Sequence, residues 1–250
     1  IQNSCNDGMM AIGRKMGAAL LLDYQSRFNF GSRTGIDLPN ESSGAIYTLD
    51  QMKDMELAST TFGQGFTSTM IQEISAVSAV INGGTYYQPH VVKEIKSQED
   101  GSVLKTNEGN VLKQIVSSDV SEKIREYMGM SVTSGTSRKS KVQGYSMGGK
   151  TGTAEILSTE EKDYLVSFIG FAPLDTPQVV VYVVVDRPNV EEQADSSYAQ
   201  YIAQAILDEI LPYMNIYPDE ETEETTKLWD GFKGVLKLDD SEVEVNEPVV

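Results

Sequence analysis

The 250 residues, 40% hydrophobic and 23% charged, are enough to bury a full core in one large domain or two small ones. Thirty-seven acidic against twenty basic residues leave a formal charge of −17 at pH 7. That balance excludes nucleic acid as a partner, because affinity for a phosphate backbone rests on clustered Lys and Arg. Cys5 and His90 are the single cysteine and the single histidine. An internal disulfide, a Cys/His zinc site and a Ser-His-Asp triad are therefore not expected, and neither is a cofactor.

The chain starts without an initiator Met, and it holds no signal-like segment and no apolar run of the roughly 18 residues a membrane span needs. In its first thirty residues Met9, Ile12, Met16, Ala19 and Leu20 recur at helical spacing, which predicts a buried helical lobe. "FGSRTGIDLPNESSGA", from Phe30, reads as a structured surface loop. Over 67–82 the apolar positions 70, 74, 77 and 81, a Thr69/Gln72 capping box and the stop at Gly83-Gly84 predict a helix.

"TYYQPHVVKEIKSQEDGSVLKTNE" reads as two extended segments with a turn at 99–101, and Val116 to Met130 as another helix. The β-branched runs "YLVSFIGFAP" and "QVVVYVVVD" predict an antiparallel hairpin in the middle of a sheet. A helix from Ser197 to Leu211 follows, with Tyr198, Ile202, Ala205, Ile206 and Ile210 on its apolar face and Pro212 as the stop. From Pro218 eleven Asp and Glu stand against three Lys, so a domain over 1–215 and a disordered acidic tail over 216–250 are expected.

"GYSMGGKTGTAE", beginning at Gly144, admits two readings. Gly144 to Thr151 fits the phosphate-loop pattern G-x-x-x-x-G-K-[ST], and "VVVYVVVD" ending at Asp186 imitates the apolar strand and Asp that hold magnesium in nucleotide enzymes. A phosphate loop follows a buried strand and opens a helix. "SRKSKVQ" precedes Gly144, however, and Gly152 and Thr153 would occupy the first helical turn. An extended "GGKTGTAEI" fits the composition better. The other reading takes Lys150-Thr151-Gly152 as a K-T-G element, with Ser4-Cys5-Asn6 as an S-x-N element upstream of it.

These elements, with "RTGIDLP", "TFGQGFTSTMIQEISAVSAVINGG" and "SFIGFAP", resemble the transpeptidase domain of the penicillin-binding proteins over Asn3 to about Tyr213. The class B, monofunctional kind, used in elongation, division or sporulation, is the most similar. The resemblance implies an α/β fold shared with β-lactamases, with a central antiparallel sheet flanked by helices and an all-helical lobe beside it. It implies peptidoglycan cross-linking by serine acyl transfer at the outer face of the cell membrane. It also implies β-lactams as covalent inhibitors, membrane partners in cell-wall synthesis, and an anchor upstream of this sequence.

As the resemblance implies, Ser4 relays a proton at the amine, Asn6 donates its amide to the substrate, and Lys150 holds positive charge near Ser4 and the substrate carboxylate. Thr151 and Thr153 offer hydroxyls to that carboxylate, Gly152 lets the substrate backbone approach, and the Thr153 N–H contributes to the oxyanion hole. Gly148 and Gly149 fit an unobstructed strand edge and equally a β-bulge. The nucleophile of such a site is the serine of an S-x-x-K element ahead of Ser4. Ser102-Val103-Leu104-Lys105 stands behind it in a polar hairpin, where residues three apart face opposite ways, and is read as a chance match. A β-lactam sensor, a β-lactamase of the same fold and a catalytically silent binding module are the rival readings.

Overall fold

The computed structural model describes residues 1–156 and 162–222. Its architecture grows from a three-stranded antiparallel sheet of β5 (Gly148–Ile156), β6 (Asp163–Ala172) and β7 (Val179–Asp186), in the order β5-β6-β7. β6 is the central strand, as its near-continuous burial requires. One face of the sheet receives α6 (Ser197–Tyr213), where Ala199 and Ala203 pack on Phe168 and the valines of β7. Against the other face lie α4 (Met70–Ile81) and α5 (Ser118–Ser134), whose Ile81 and Met128 enclose Phe171. The expected arrangement, a central antiparallel sheet flanked by helices, is the observed one.

The helix over 67–82 begins where its cap predicts. Thr69 Oγ1 accepts from the Gln72 N–H and the Gln72 side chain accepts from the Thr69 N–H, a reciprocal capping box. Gln72, fully buried, also donates to the carbonyls of Asn29, Ser32 and Ser43, which fastens the long loop to α4. α5 starts at the Ser117 cap and runs on to Gly135, because nothing after Met130 interrupts it.

The segment between α4 and α5 is a protruding arm. β2 (Glu94–Lys96) and β3 (Val103–Thr106) form its tip, and β1 (Thr85–Gln88) pairs with β4 (Asn110–Gln114) at its base. Sequence reasoning misses β4, since "NVLKQ" is mostly exposed and lacks clean alternation.

Three expectations change. The first thirty residues do form helices, α1 (Asn6–Met16) and α2 (Ala18–Arg27), but Ile12, Ala19 and Leu20 are exposed, so among the described residues this lobe is not buried. α6 turns the other way about its axis. Ala199, Ala203, Leu207 and Leu211 face the sheet while Ile202, Ala205 and Ile206 face outward, because two small alanines let the helix approach Phe168 closely.

The body also extends past residue 215. Ile216 is buried beside Tyr145, whose hydroxyl donates to the Ile216 carbonyl at 3.1 Å. Asp219 accepts from the Ser146 N–H and hydroxyl, and Glu220 pairs with Lys141 at 2.7 Å. The acidic character expected from 216 thus begins as docking contacts. The remainder of the expected tail, 223–250, lies outside the described residues.

Candidate active site

β5 carries the K-T-G element on one edge of the sheet. Its register with β6 runs unbroken from Gly148 opposite Phe171 to Ile156 opposite Asp163, so no bulge lies at Gly148 or Gly149. A Cβ on Gly148 would overlap the Phe171 ring, and one on Gly149 the Phe168 ring, so the two glycines let both phenylalanines lie flat on the sheet. Gly152 is constrained in the same way by Ser167 Oγ on the neighbouring strand. The phosphate-loop reading fails here as well. Lys150 stands inside a strand opposite Ile169 and not at the start of a helix.

Ser4 precedes α1, at a backbone φ of 49°, the left-handed region that non-glycine residues seldom occupy. Cys5 caps α1 through its Sγ, which accepts from the Gly8 N–H at 3.4 Å, and Asn6 is the first residue of the helix. Gly13 sits too close to Thr61 to admit a side chain, so α1 is locked against α3 (Asp54–Thr60). Phe62 to Gly65 then turns sharply, with Gly63 and Gly65 at positive φ and the Gln64 N–H donating to the Ser59 carbonyl. The "FGQG" stretch is accordingly a turn beneath α1.

The two elements meet at a single hydrogen bond. Lys150 Nζ donates to Ser4 Oγ at 2.8 Å and to the Thr151 carbonyl at 2.6 Å. Burial pushes the Lys150 ammonium below the ordinary lysine value, and no carboxylate pairs with it among the described residues. An uncompensated, half-buried cation beside a hydroxyl is a receptor for an anion.

Thr151 is half-buried and Thr153 exposed, and Thr153 Oγ1 donates to the Ala194 carbonyl at 3.4 Å. Asn6 is exposed, two residues after Ser4. Of these residues, Ser4 and Lys150 touch through their side chains, and the Thr151 hydroxyl meets that of Thr136. By contrast, Ser102 Oγ donates to Asp100 in a turn, Asp100 is held down at about 2 by Ser102, and Lys105 pairs with Ile95 in an exposed hairpin. No serine–lysine partnership forms there.

Sequence reasoning overlooks Ser134-Gly135-Thr136, where α5 ends. The Gln2 side chain donates to Ser134 Oγ at 2.8 Å, and the Thr136 N–H donates to the Gln2 carbonyl at 3.2 Å. Thr136 Oγ1 lies 3.2 Å from Thr151 Oγ1. A polar-small-polar triplet carries no signal of its own. Only the fold brings it between Gln2 and Thr151.

A family model described as the penicillin binding protein transpeptidase domain matches residues 1–208. The chain is 39% identical to stage V sporulation protein D of Bacillus subtilis over 238 residues, covering 94% of this chain and 37% of that protein. It is 30% identical to peptidoglycan D,D-transpeptidase MrdA of Acinetobacter baumannii, covering 72% of this chain and 30% of that protein. Among solved structures it is similar to penicillin binding protein 3 of Mycobacterium tuberculosis complexed with ampicillin. The TM-score is 0.79 at 26% identity, over 89% of this chain and 52% of that one. The chain thus spans about a third of the curated relatives it matches.

Proposed function

The chain belongs to the penicillin-binding-protein transpeptidase domain family. From that premise we propose that the full-length protein cross-links peptidoglycan by D,D-transpeptidation through a serine acyl-enzyme, with Ser4, Asn6 and Lys150 as the catalytic residues on this chain. The observation that carries the proposal is the 2.8 Å contact between Lys150 Nζ and Ser4 Oγ, which unites two elements 146 residues apart. Lys150 supplies a fixed cation that stabilises the substrate carboxylate and keeps the Ser4 hydroxyl polarised. Ser4 passes a proton to the departing amine and returns it from the incoming one. Asn6 donates its amide to the substrate's peptide oxygen.

Thr151 and Thr153 donate to the terminal carboxylate, and the Thr153 N–H stabilises the oxyanion. Glycine at 152 keeps the strand edge clear of a side chain while Ser167 fills the space beneath. The nucleophile is a serine of an S-x-x-K element preceding Ile1, and its attack breaks the bond between two terminal D-alanines.

Two features of the sheet support a domain that includes more chain than this. β7 hydrogen-bonds only to β6 among the described residues, although its first seven residues are six valines and a tyrosine, the composition of an interior strand. α6 leaves Tyr201, Ile202 and Ile206 exposed on its outer face. Both surfaces suit cover by the segment that carries the nucleophile.

β-Lactams acylate that serine, and the protein works at the outer face of the cell membrane alongside other cell-wall synthesis proteins. No helix among the described residues is long and apolar enough to cross a membrane.

Labelling of the full-length protein with fluorescent penicillin tests the reading. A stable adduct on an upstream serine is expected, and Lys150→Ala should slow its formation by roughly two to three powers of ten without unfolding the protein. Rapid turnover of the adduct would mark a β-lactamase instead, a stable adduct without cross-linking activity a sensor, and no adduct at all a silent binding module. Full labelling by the Lys150 variant would overturn the role given to that residue.

A further inference from the structure

We propose that Thr136 is a positioning residue that turns the Thr151 hydroxyl outward, so that it can donate to the carboxylate of the bound substrate; this rests on the transpeptidase reading above. Thr136 has no other part in the site. It belongs to neither the S-x-N nor the K-T-G element, yet it touches the chain just before the first and a side chain of the second.

A hydroxyl has one proton to give. Thr136 Oγ1 has two acceptors within reach, the Gln2 carbonyl at 3.5 Å and Thr151 Oγ1 at 3.2 Å. The carbonyl is the longer of the two contacts. Either hydroxyl can donate in the Thr136–Thr151 pair, and the proposed arrangement is the one in which Thr136 does.

Thr151 then accepts through one lone pair and must send its own proton elsewhere. In the proposed arrangement that proton is left for a ligand bound near Lys150, which itself donates to Ser4. Were the proton pattern reversed, the Thr151 hydroxyl would be spent on Thr136 and would offer a ligand oxygen only lone pairs.

The support for Thr136 is rigid. Gly135 packs so tightly against the Gln2 carbonyl and the Ser131 backbone that a Cβ there would meet both, and Gln2 is tied to Ser134 Oγ as well. Ser131 Oγ and Ser137 Oγ are hydrogen-bonded at 2.8 Å within the buried start of the next turn. The threonine is thus held from both sides while it stays exposed.

The test uses the full-length protein and acylation by benzylpenicillin and by its methyl ester, which lacks the anionic oxygen. Thr136→Val should slow acylation by the free acid about tenfold, the scale for one hydrogen bond to a charged group, and that by the ester less than twofold. Thr136→Ser, which keeps the hydroxyl, should stay within twofold of the unsubstituted protein, and this separates the role from simple packing. In a Thr151→Val background Thr136→Val should add nothing. Equal slowing of acid and ester, or independent multiplication of the two substitutions, would overturn the role. If the unsubstituted protein fails to acylate at all, the transpeptidase reading falls and this role with it. If it acylates and Thr136→Val leaves the rate unchanged, the role alone falls.

Discussion

Helices α1 and α2 expose 51% of Ile12 and 44% of Leu20 and bury only Gly13 and Gln25, whereas β6 and α6 bury Phe168, Phe171, Leu207 and Leu211 completely. The contrast follows from where each region finds its partners. One core, joining Val132, Val142, Tyr145, Met147, Ala172, Leu207, Leu211 and Ile216, is drawn from a continuous third of the chain. The lobe has no such neighbour among the described residues beyond α3 and the "FGQG" turn. Lys150 stands on the self-sufficient half and Ser4 on the dependent one, so the contact between them is only as firm as the weaker side.

The largest expected effect tests that dependence directly. Residues 1–250 alone should form no covalent adduct with fluorescent penicillin, and adding the upstream segment, on one chain or as a separate piece, should restore labelling and solubility together. An adduct on the 250 residues alone, mapped by mass spectrometry to Ser4 or Ser102, would show that the groove is complete without it.

On the self-sufficient side, Phe171→Ala should cost about 3–5 kcal/mol of unfolding free energy, because it empties the space between α4, α5 and the sheet. Gly149→Ala should cost about 1–3 kcal/mol, since the new methyl group must displace the Phe168 ring. Denaturant unfolding measures both. A neutral Gly149→Ala would mean that the sheet yields more readily than its packing implies.

The same contrast explains what the sequence could and could not reveal. Capping chemistry is local, so the Thr69/Gln72 box and the Gly83 stop locate α4 to within a residue or two. The apolar runs locate β6 and β7, because a strand such as β7, with seven apolar residues in a row, suits a sheet interior. Faces are a different matter. α6 carries apolar residues on two sides, and the side with the larger ones faces outward, since the choice is made by the close approach that Ala199 and Ala203 allow. Ile12 and Leu20 have helical spacing, but spacing records which surface would be covered and not whether a partner is present. In the site, Ser4 and Lys150 were legible as motif residues, while Thr136 was not, because its relation to Thr151 exists only once α5 ends beside β5.

Glu73 lies on the seam between the two halves. It projects from α4, accepts from Ser68 Oγ at 2.5 Å, and has no cation paired with it among the described residues. Burial raises its pKa above the usual 4.5, only partly offset by the Ser68 bond, and its charge in turn adds to the burial that raises the Tyr182 phenol on β7. The folded protein therefore holds this proton more tightly than the unfolded chain. Its favourable contribution is complete below pH 4.5 and is lost as pH rises through the raised value. Glu73→Gln, which keeps an acceptor for Ser68, should accordingly be more stable than the unsubstituted chain by about 1 kcal/mol at pH 7.5. The gap should close below pH 4.5. A gap that is the same at both pH values would show that packing, not charge, separates the two.

The smallest expected effect is the one that discriminates best between the halves. Ile12→Ser in residues 1–250 should change unfolding free energy by no more than about 0.5 kcal/mol, because the side chain is already half in water and little apolar area is at stake. With the upstream segment present the same substitution should cost about 1–3 kcal/mol, the range for uncovering a buried aliphatic side chain. The difference between the two measurements, and not either one alone, reports how much of the lobe the upstream chain covers. Leu20→Ser, two turns further along, should follow the same pattern if one surface covers both helices. A cost confined to Ile12 would place the covering segment over α1, next to Ser4, and leave α2 facing solvent.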